Sequence, residues 1–147
     1  MKLRRILVTL AMTPAIVGLA APAYAAAPAV TFTRIQYNSP GTDTRSNASL
    51  NAEWVRLTNN TTKAIQLKNW TVRDKSNHIF KFPAVTVPAK ANLYLHTGKG
   101  TAYSGHIFWQ SAAYIWNNTG DTATLKNTAG KTIDTCTWKS GSTPTNC

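Results

Sequence analysis

His78, His96 and His106 are the side chains best suited to act as general bases near neutral pH, and serines are plentiful. A serine hydrolase needs a nucleophile, a base and an orienting acid. No Gly-x-Ser-x-Gly turn occurs. His78 and His96 fall at a turn and at a strand end, where polar surface roles are usual. Hydrolysis at an unrecognised site therefore stands only as the alternative reading. Thr97-Gly98-Lys99-Gly100-Thr101 has the look of a phosphate loop, but the upstream glycine position holds Leu93 and the residue after the lysine is Gly100. Both departures break the Walker pattern.

The acids are Asp43, Glu53, Asp74, Asp121 and Asp134. A glycosidase needs two carboxyls facing each other across a cleft. Asp74 and Asp121 sit instead in turn-like stretches, where aspartate bonds local backbone. The oxygens around Asp43, Asn51 and Glu53 are the stretch in which a calcium ion would find ligands, although capping and turn roles explain these residues better. Cys136 and Cys147 have no histidine near them in sequence, so they make a poor zinc site. In an exported chain they read as a disulfide. No cofactor and no catalytic residue is implied.

Cations outnumber acids throughout. Lys2, Arg4 and Arg5 precede an apolar run from Ile6 to Leu19, and Ala23-Tyr24-Ala25 places small residues where a signal peptidase cuts. The run is shorter than the ~20 residues of a bilayer span and contains Pro14. The expectation is a cleaved signal peptide over residues 1–25, a secreted domain over 26–147, and no membrane attachment after cleavage. Removing those three cations from the chain's 16 leaves 13 against five acids, a formal net charge of +8. Such a field draws anionic partners. The densest stretch holds Lys63, Lys68, Arg73, Lys75 and Lys81, which makes these the candidate contacts for an extracellular polyanion, a cell-wall polymer or DNA. Lys68, Arg73 and Lys75, close in sequence, are expected to act together, and Lys90, Lys126 and Lys131 to matter less. Phe108, Trp109, Tyr114 and Trp116 form a second cluster. Of these, Trp109, Tyr114 and Trp116 are candidates to stack on sugars or bases.

The elements that would position these groups are short and alternate with period two, as half-buried strands do. Val30 and Phe32 alternate with threonines. The phase then slips around Arg34, which predicts a bulge. Val55-x-Leu57, Ile65-x-Leu67, Trp70-x-Val72, Phe80-x-Phe82, Val85-x-Val87 and Leu93-x-Leu95 follow, then Ile115-Trp116, Ala123-x-Leu125 and Ile133 to Trp138. Asn77 and Gly130 stand where turns call for left-handed backbone. No window shows a helical stripe. The pattern predicts an all-β sandwich or barrel of about eight or nine strands. Trp54, Trp70 and Trp116 are large enough to anchor its core, and Gly98 and Gly100 are expected to provide positive φ. The tail from Ser140 to Asn146 has only Cys147 to hold it.

Six stretches carry a resemblance: Ile35-Gln36-Tyr37-Asn38 with Pro40-Gly41 and Asp43; Asn51 to Asn59; Leu67 to Asp74; Phe80-Lys81-Phe82; His96 to Gly100; and Ile115 to Asp121. In this order they resemble the lamin tail domain in the form found in secreted bacterial proteins, from about Val30 to Trp138. The resemblance implies an immunoglobulin-like β-sandwich, a binding or interaction module, and no catalytic residues. The cysteine pair that spans the two sheets of antibody domains is missing, since both cysteines lie near the C-terminus.

Overall fold

A computed structural model describes residues 25–141 and 143–147. The expected signal peptide lies, but for Ala25, outside them. The elements run β1 (Val30–Gln36), α1 (Asn47–Asn51), β2 (Trp54–Asn59), β3 (Ile65–Gln66), β4 (Thr71–Arg73), β5 (Ile79–Lys81), β6 (Thr86–Val87), β7 (Asn92–His96), β8 (His106–Phe108), β9 (Gly120–Lys126), β10 (Thr132–Lys139) and β11 (Thr145–Asn146). They build a five-stranded sheet in the order β11-β1-β2-β7-β8, a four-stranded sheet in the order β10-β9-β4-β5, and a two-stranded β3-β6 ribbon. The result is the expected sandwich. The β7–β8 pair is parallel and the other ladders are antiparallel.

The alternation read from the sequence is the alternation of burial. On β2 the buried residues are Val55, Leu57 and Asn59, and on β9 they are Asp121, Ala123 and Leu125. The inner faces of the two sheets join in one apolar core that includes Ile35, Tyr37, Leu95, Val72, Phe82 and Trp138. Each large apolar side chain buried there stabilises the fold by roughly 1.5–3 kcal/mol. The predicted bulge exists: the β1–β2 register shifts between Phe32 and Arg34. A second shift, between Thr132 and Asp134, lets the Asp134 carboxylate reach across and accept from the Phe32 amide at 2.7 Å. Asn77 and Gly130 take positive φ, at 71° and 76°.

Several expectations need correction. Ile115 and Trp116 are buried but form no strand, and the strand of that region is β8. The five-residue α1 was not foreseen, because its Asn-Ala-Ser-Leu-Asn sequence is too short to show a stripe; Ser46 caps it through the Ser49 amide. Trp54 lies half-buried on the outer face of its sheet. Trp116 does join the core and Trp70 packs against it, while Trp138, not foreseen, is a further anchor, stacked on Tyr37 with ring centroids 5.2 Å apart. The tail is not held by Cys147 alone. Thr145 and Asn146 pair with Ile35 and Arg34, and the Cys147 amide donates to the Thr33 carbonyl. The Cys136–Cys147 disulfide is present, with Cα atoms 5.5 Å apart. It ties β10, the edge of one sheet, to the end of β11, the edge of the other.

Candidate functional site

The fate of the carboxylates decides the character of the surface. Glu53, 1% exposed, turns its Oε1 to the Thr97 hydroxyl at 2.6 Å and to the amides of Ile115 and Trp116. It thereby pins a segment more than 60 positions away, which is why Ile115 and Trp116 are buried without being a strand. Burial pushes its carboxyl up to about 7, against the downward pull of those three hydrogen bonds and with a further push from Asp43. Asp121 is also buried. Its Oδ1 accepts from the Lys75 and Thr122 amides, and its Oδ2 accepts from the Asn117 amide and carboxamide. Asp74 holds the His78 amide at 2.7 Å and the His78 ring at the same distance. With Asp134 on Phe32, four of the five acids act as internal braces and only Asp43 is exposed. Among the described residues no lysine or arginine lies in salt-bridge contact with a carboxylate, and the only pair is His78–Asp74.

Glu53, engaged in this way, is not offered to a calcium ion. Among the described residues no group of three or more His, Cys, Asp and Glu side chains comes together to hold a metal. His78 with Asp74 has the outline of a base and its orienter, but no serine or threonine hydroxyl among the described residues hydrogen-bonds the His78 ring. Asp74 instead closes the Asp74–His78 turn.

The outer face of the four-stranded sheet collects the cations. Register runs Lys81–Thr71–Lys126 across β5, β4 and β9, then Ile79–Arg73–Thr124–Thr135 in the next outward row. Lys81 and Lys126 therefore stand about two strand spacings apart, roughly 10 Å. Thr122 and Thr137 share a hydrogen bond of 2.9 Å. Beside them a depression of about 310 Å³ is lined by Lys75, Lys139, Thr122 and Thr137. Of the five predicted cations, Arg73, Lys75 and Lys81 border this face, whereas Lys63 and Lys68 lie in loops outside the strands. The expected grouping by sequence needs correction. Lys126, placed with Lys90 and Lys131 as a bystander, stands in line with Lys81. Lys139, not singled out, joins Lys75. Sheet order puts β9 beside β4, and nearness in sequence cannot show that.

The aromatic platform also needs correction. Trp116 is 3% exposed and Trp109 packs on it edge-on at 5.9 Å and on Phe80 at 5.6 Å. The Tyr114 hydroxyl is held by Ser49 at 2.6 Å. These rings face inward or brace loops. A second ring array, half-buried but for the exposed Tyr103, lies on the outer face of the five-stranded sheet. Register places Tyr94 beside His106 and His96 beside Phe108. Tyr94, His106 and Tyr103 stack nearly parallel, with centroids 4.9 and 4.5 Å apart. His96 Nδ1 donates to the Asn51 carbonyl at 2.8 Å, so its Nε2 accepts from His106 Nδ1 at 2.9 Å. Burial lowers the His96 pKa, which the Asn51 carbonyl opposes and His106 reinforces. Arg34 and Arg56 extend the Tyr94–His106 row, with Arg56 Nε on the Thr33 hydroxyl. The sequence signal was present in the outward positions Tyr94-x-His96 and His106-x-Phe108, between the apolar residues.

Gly98 and Gly100 do not take positive φ. They allow close approach. A Cβ on Gly98 would meet Asn51 Oδ1 at 2.5 Å, and one on Gly100 would meet the Phe108 ring at 2.6 Å. Asn47 and Asn51 of α1 both donate to the Lys99 carbonyl, which docks the helix on this loop. The loop's polar backbone is thus engaged by the protein itself and not arranged for a phosphate.

No curated protein matches the chain. The family model described as Lamin Tail Domain matches residues 23–140. That span takes in both sheets from β1 to β10, the braced carboxylates and both outer faces, and the family is an immunoglobulin-like domain that is in general non-enzymatic. With the match covering most of its length and the sandwich it implies in place, this chain belongs to the lamin tail domain family.

Proposed function

We propose that the domain is a secreted, non-catalytic module that attaches to anionic polymers outside the cell through the outer face of its four-stranded sheet. The observation that carries this reading is the absence, among the described residues, of any lysine or arginine paired with a carboxylate. Four acids are turned inward onto backbone amides, so the cations keep their full attraction for an outside anion. The row Lys81–Thr71–Lys126 and the depression between Lys75 and Lys139 offer charge and hydroxyl donors along one face. Phosphate or carboxylate repeated along a chain is the shared chemistry of the partner, whether wall polymer or DNA. The disulfide fits export to an oxidising compartment. Among the described residues no helix is long and apolar enough to cross a membrane.

The test exchanges equal charge at two places. One variant carries Lys75→Gln, Lys81→Gln, Lys126→Gln and Lys139→Gln. The other carries Arg45→Gln, Lys63→Gln, Lys90→Gln and Lys99→Gln. Retention on anionic wall polymer and on duplex DNA is measured against salt. The first variant should bind more weakly and lose salt dependence by about one unit of slope for each contact removed. Equal loss in both variants would show that net charge alone acts and would overturn the assignment of the face.

A further inference from the structure

Tyr103 is 60% exposed, and with Ile79 it is one of two large apolar side chains that the described residues leave so open. It is nevertheless fixed in place. Its amide donates to the His106 carbonyl at 3.1 Å, and its carbonyl accepts from the His106 amide at 2.8 Å. The turn between them needs Gly105, at φ 72°. One face of the Tyr103 ring lies on His106 at 4.5 Å, and His106 in turn rests on Tyr94 and His96. A solvated loop tyrosine needs no such support.

Next to Tyr103 lies a pocket of about 200 Å³ whose lining includes Val85, Val87, Pro88 and Ile107. It is smaller than the roughly 300 Å³ or more of sites for drug-sized ligands, so it suits a single ring. Two polar side chains enter the lining, Thr86 and Asn92. The Thr86 oxygen accepts from Gln66 and Asn92 Oδ1 accepts from Thr58, which leaves the Thr86 hydroxyl hydrogen and Asn92 Nδ2 without a partner among the described residues. No lysine, arginine, histidine or acid lines the pocket, on a domain otherwise dominated by cations.

An aliphatic wall, a fixed ring and two unengaged donors, with no charge, describe the complement of an uncharged ring that is apolar on its faces and hydroxylated at its edge. We infer that the pocket binds one unit of a neutral β-linked polysaccharide of gluco-configured pyranoses. Such a ring carries its hydroxyls and both its linkages equatorially, where an α-linkage is axial and turns the next unit toward the ring face, so its flat C–H face is clear to lie on Tyr103 while its edge oxygens meet Thr86 and Asn92. Nucleotides and acidic sugars are the less suited occupants, because no cation lines the pocket to meet the charge of a phosphate or carboxylate. This site is separate from the cationic face, and each fails or stands alone.

The test titrates the intact secreted domain with cellohexaose and chitohexaose, using maltohexaose as the α-linked control, in calorimetry at low and high salt. The β-linked hexamers should bind with an affinity that salt leaves unchanged. Tyr103→Ala should weaken binding by about tenfold, the scale of one lost stacking contact. Tyr103→Phe and the four-lysine variant above should bind as the parent does. The melting temperature of Tyr103→Ala should stay at the parent value, since the side chain is exposed. Failure of both β-linked hexamers to bind overturns the inference. So do full binding by a folded Tyr103→Ala, equal binding of maltohexaose, and an affinity that falls with salt.

Discussion

The two outer faces of this sandwich rest on the same backbone and the same alternation, yet they present opposite kinds of surface. The four-stranded sheet shows threonines interleaved with lysines, as in the row Lys81–Thr71–Lys126–Thr132. The five-stranded sheet shows rings stacked across strands, from Tyr94 through His106 to Tyr103. Lysine is a hydrated point charge on a flexible stem, so a lysine face tolerates variable spacing in its partner and reads charge. Stacked rings lose little further freedom on binding, so a ring face reads shape. The interior makes the contrast stable. Its braces hold the carboxylates off both faces, so neither the lysines nor the rings are neutralised by a neighbour.

The largest expected effect comes from removing the brace under the lysine face. Asp121→Ala leaves the amides of Lys75, Thr122 and Asn117 without their acceptor. We expect a loss of about 4 kcal/mol in chemical denaturation, the upper range for a buried network. Retention on polyanion should drop at a temperature where the variant is still folded, because the depression beside Lys75 depends on that brace. Cellohexaose binding should persist. Loss of both together would break the claim that the faces are independent.

The next effect concerns Glu53, which braces the segment behind the ring face. Its folded pKa of about 7 lies above its ordinary 4.5. The stability it contributes is therefore fully present below about pH 4.5 and is lost as pH rises through about 7. The swing is about 3 kcal/mol at most. His96, with a lowered pKa, acts in the opposite sense as pH falls below its ordinary 6.5. The measurement is thus the difference between the parent and Glu53→Gln across pH 4 to 8. A difference that stays flat would show that the three hydrogen bonds hold the carboxyl near its ordinary value.

The smallest effect is expected at the edge. The chain-entropy account gives roughly 3 kcal/mol for a loop of this size, but much of it only orders the tail. Reduction should cost less than that in melting experiments and leave both sheets paired. Amide exchange should quicken at Arg34 and Ile35, where β11 pairs with β1, and at the end of β10 near Lys139, and not at Tyr94 or His106. Faster exchange in the ring array would mean that the two faces communicate through this edge.

Alternation, the bulge at Arg34 and the turns at Asn77 and Gly130 were legible because each is a local matter of side-chain period or φ. The candidate surfaces were legible only in part. Arg73, Lys75 and Lys81 border one face because they flank the β4–β5 turn, a local matter, whereas Lys63 and Lys68, in the same dense stretch, lie in loops outside the strands. Lys126 and Lys139 reach the same face through β9 and β10, strands that join the sheet from far along the chain. Trp109 and Trp116 have the composition of a platform, but an aromatic run does not say which way it faces. Here Glu53, remote in sequence, draws the backbone at Ile115 and Trp116 inward. Gly98 and Gly100 were recognised as constrained for the wrong reason, since close approach by Asn51 and Phe108 comes from other segments.

The Cys136–Cys147 link also decides how the domain responds to a pull. Tension arriving at Cys147 passes through the sulfurs to Cys136, in the middle of β10, and bypasses the short pairing of β11. Strand β10 holds β9 in unbroken register from Asp134 to Lys139. The load therefore enters the longest ladder of the sandwich at its middle and not at one end.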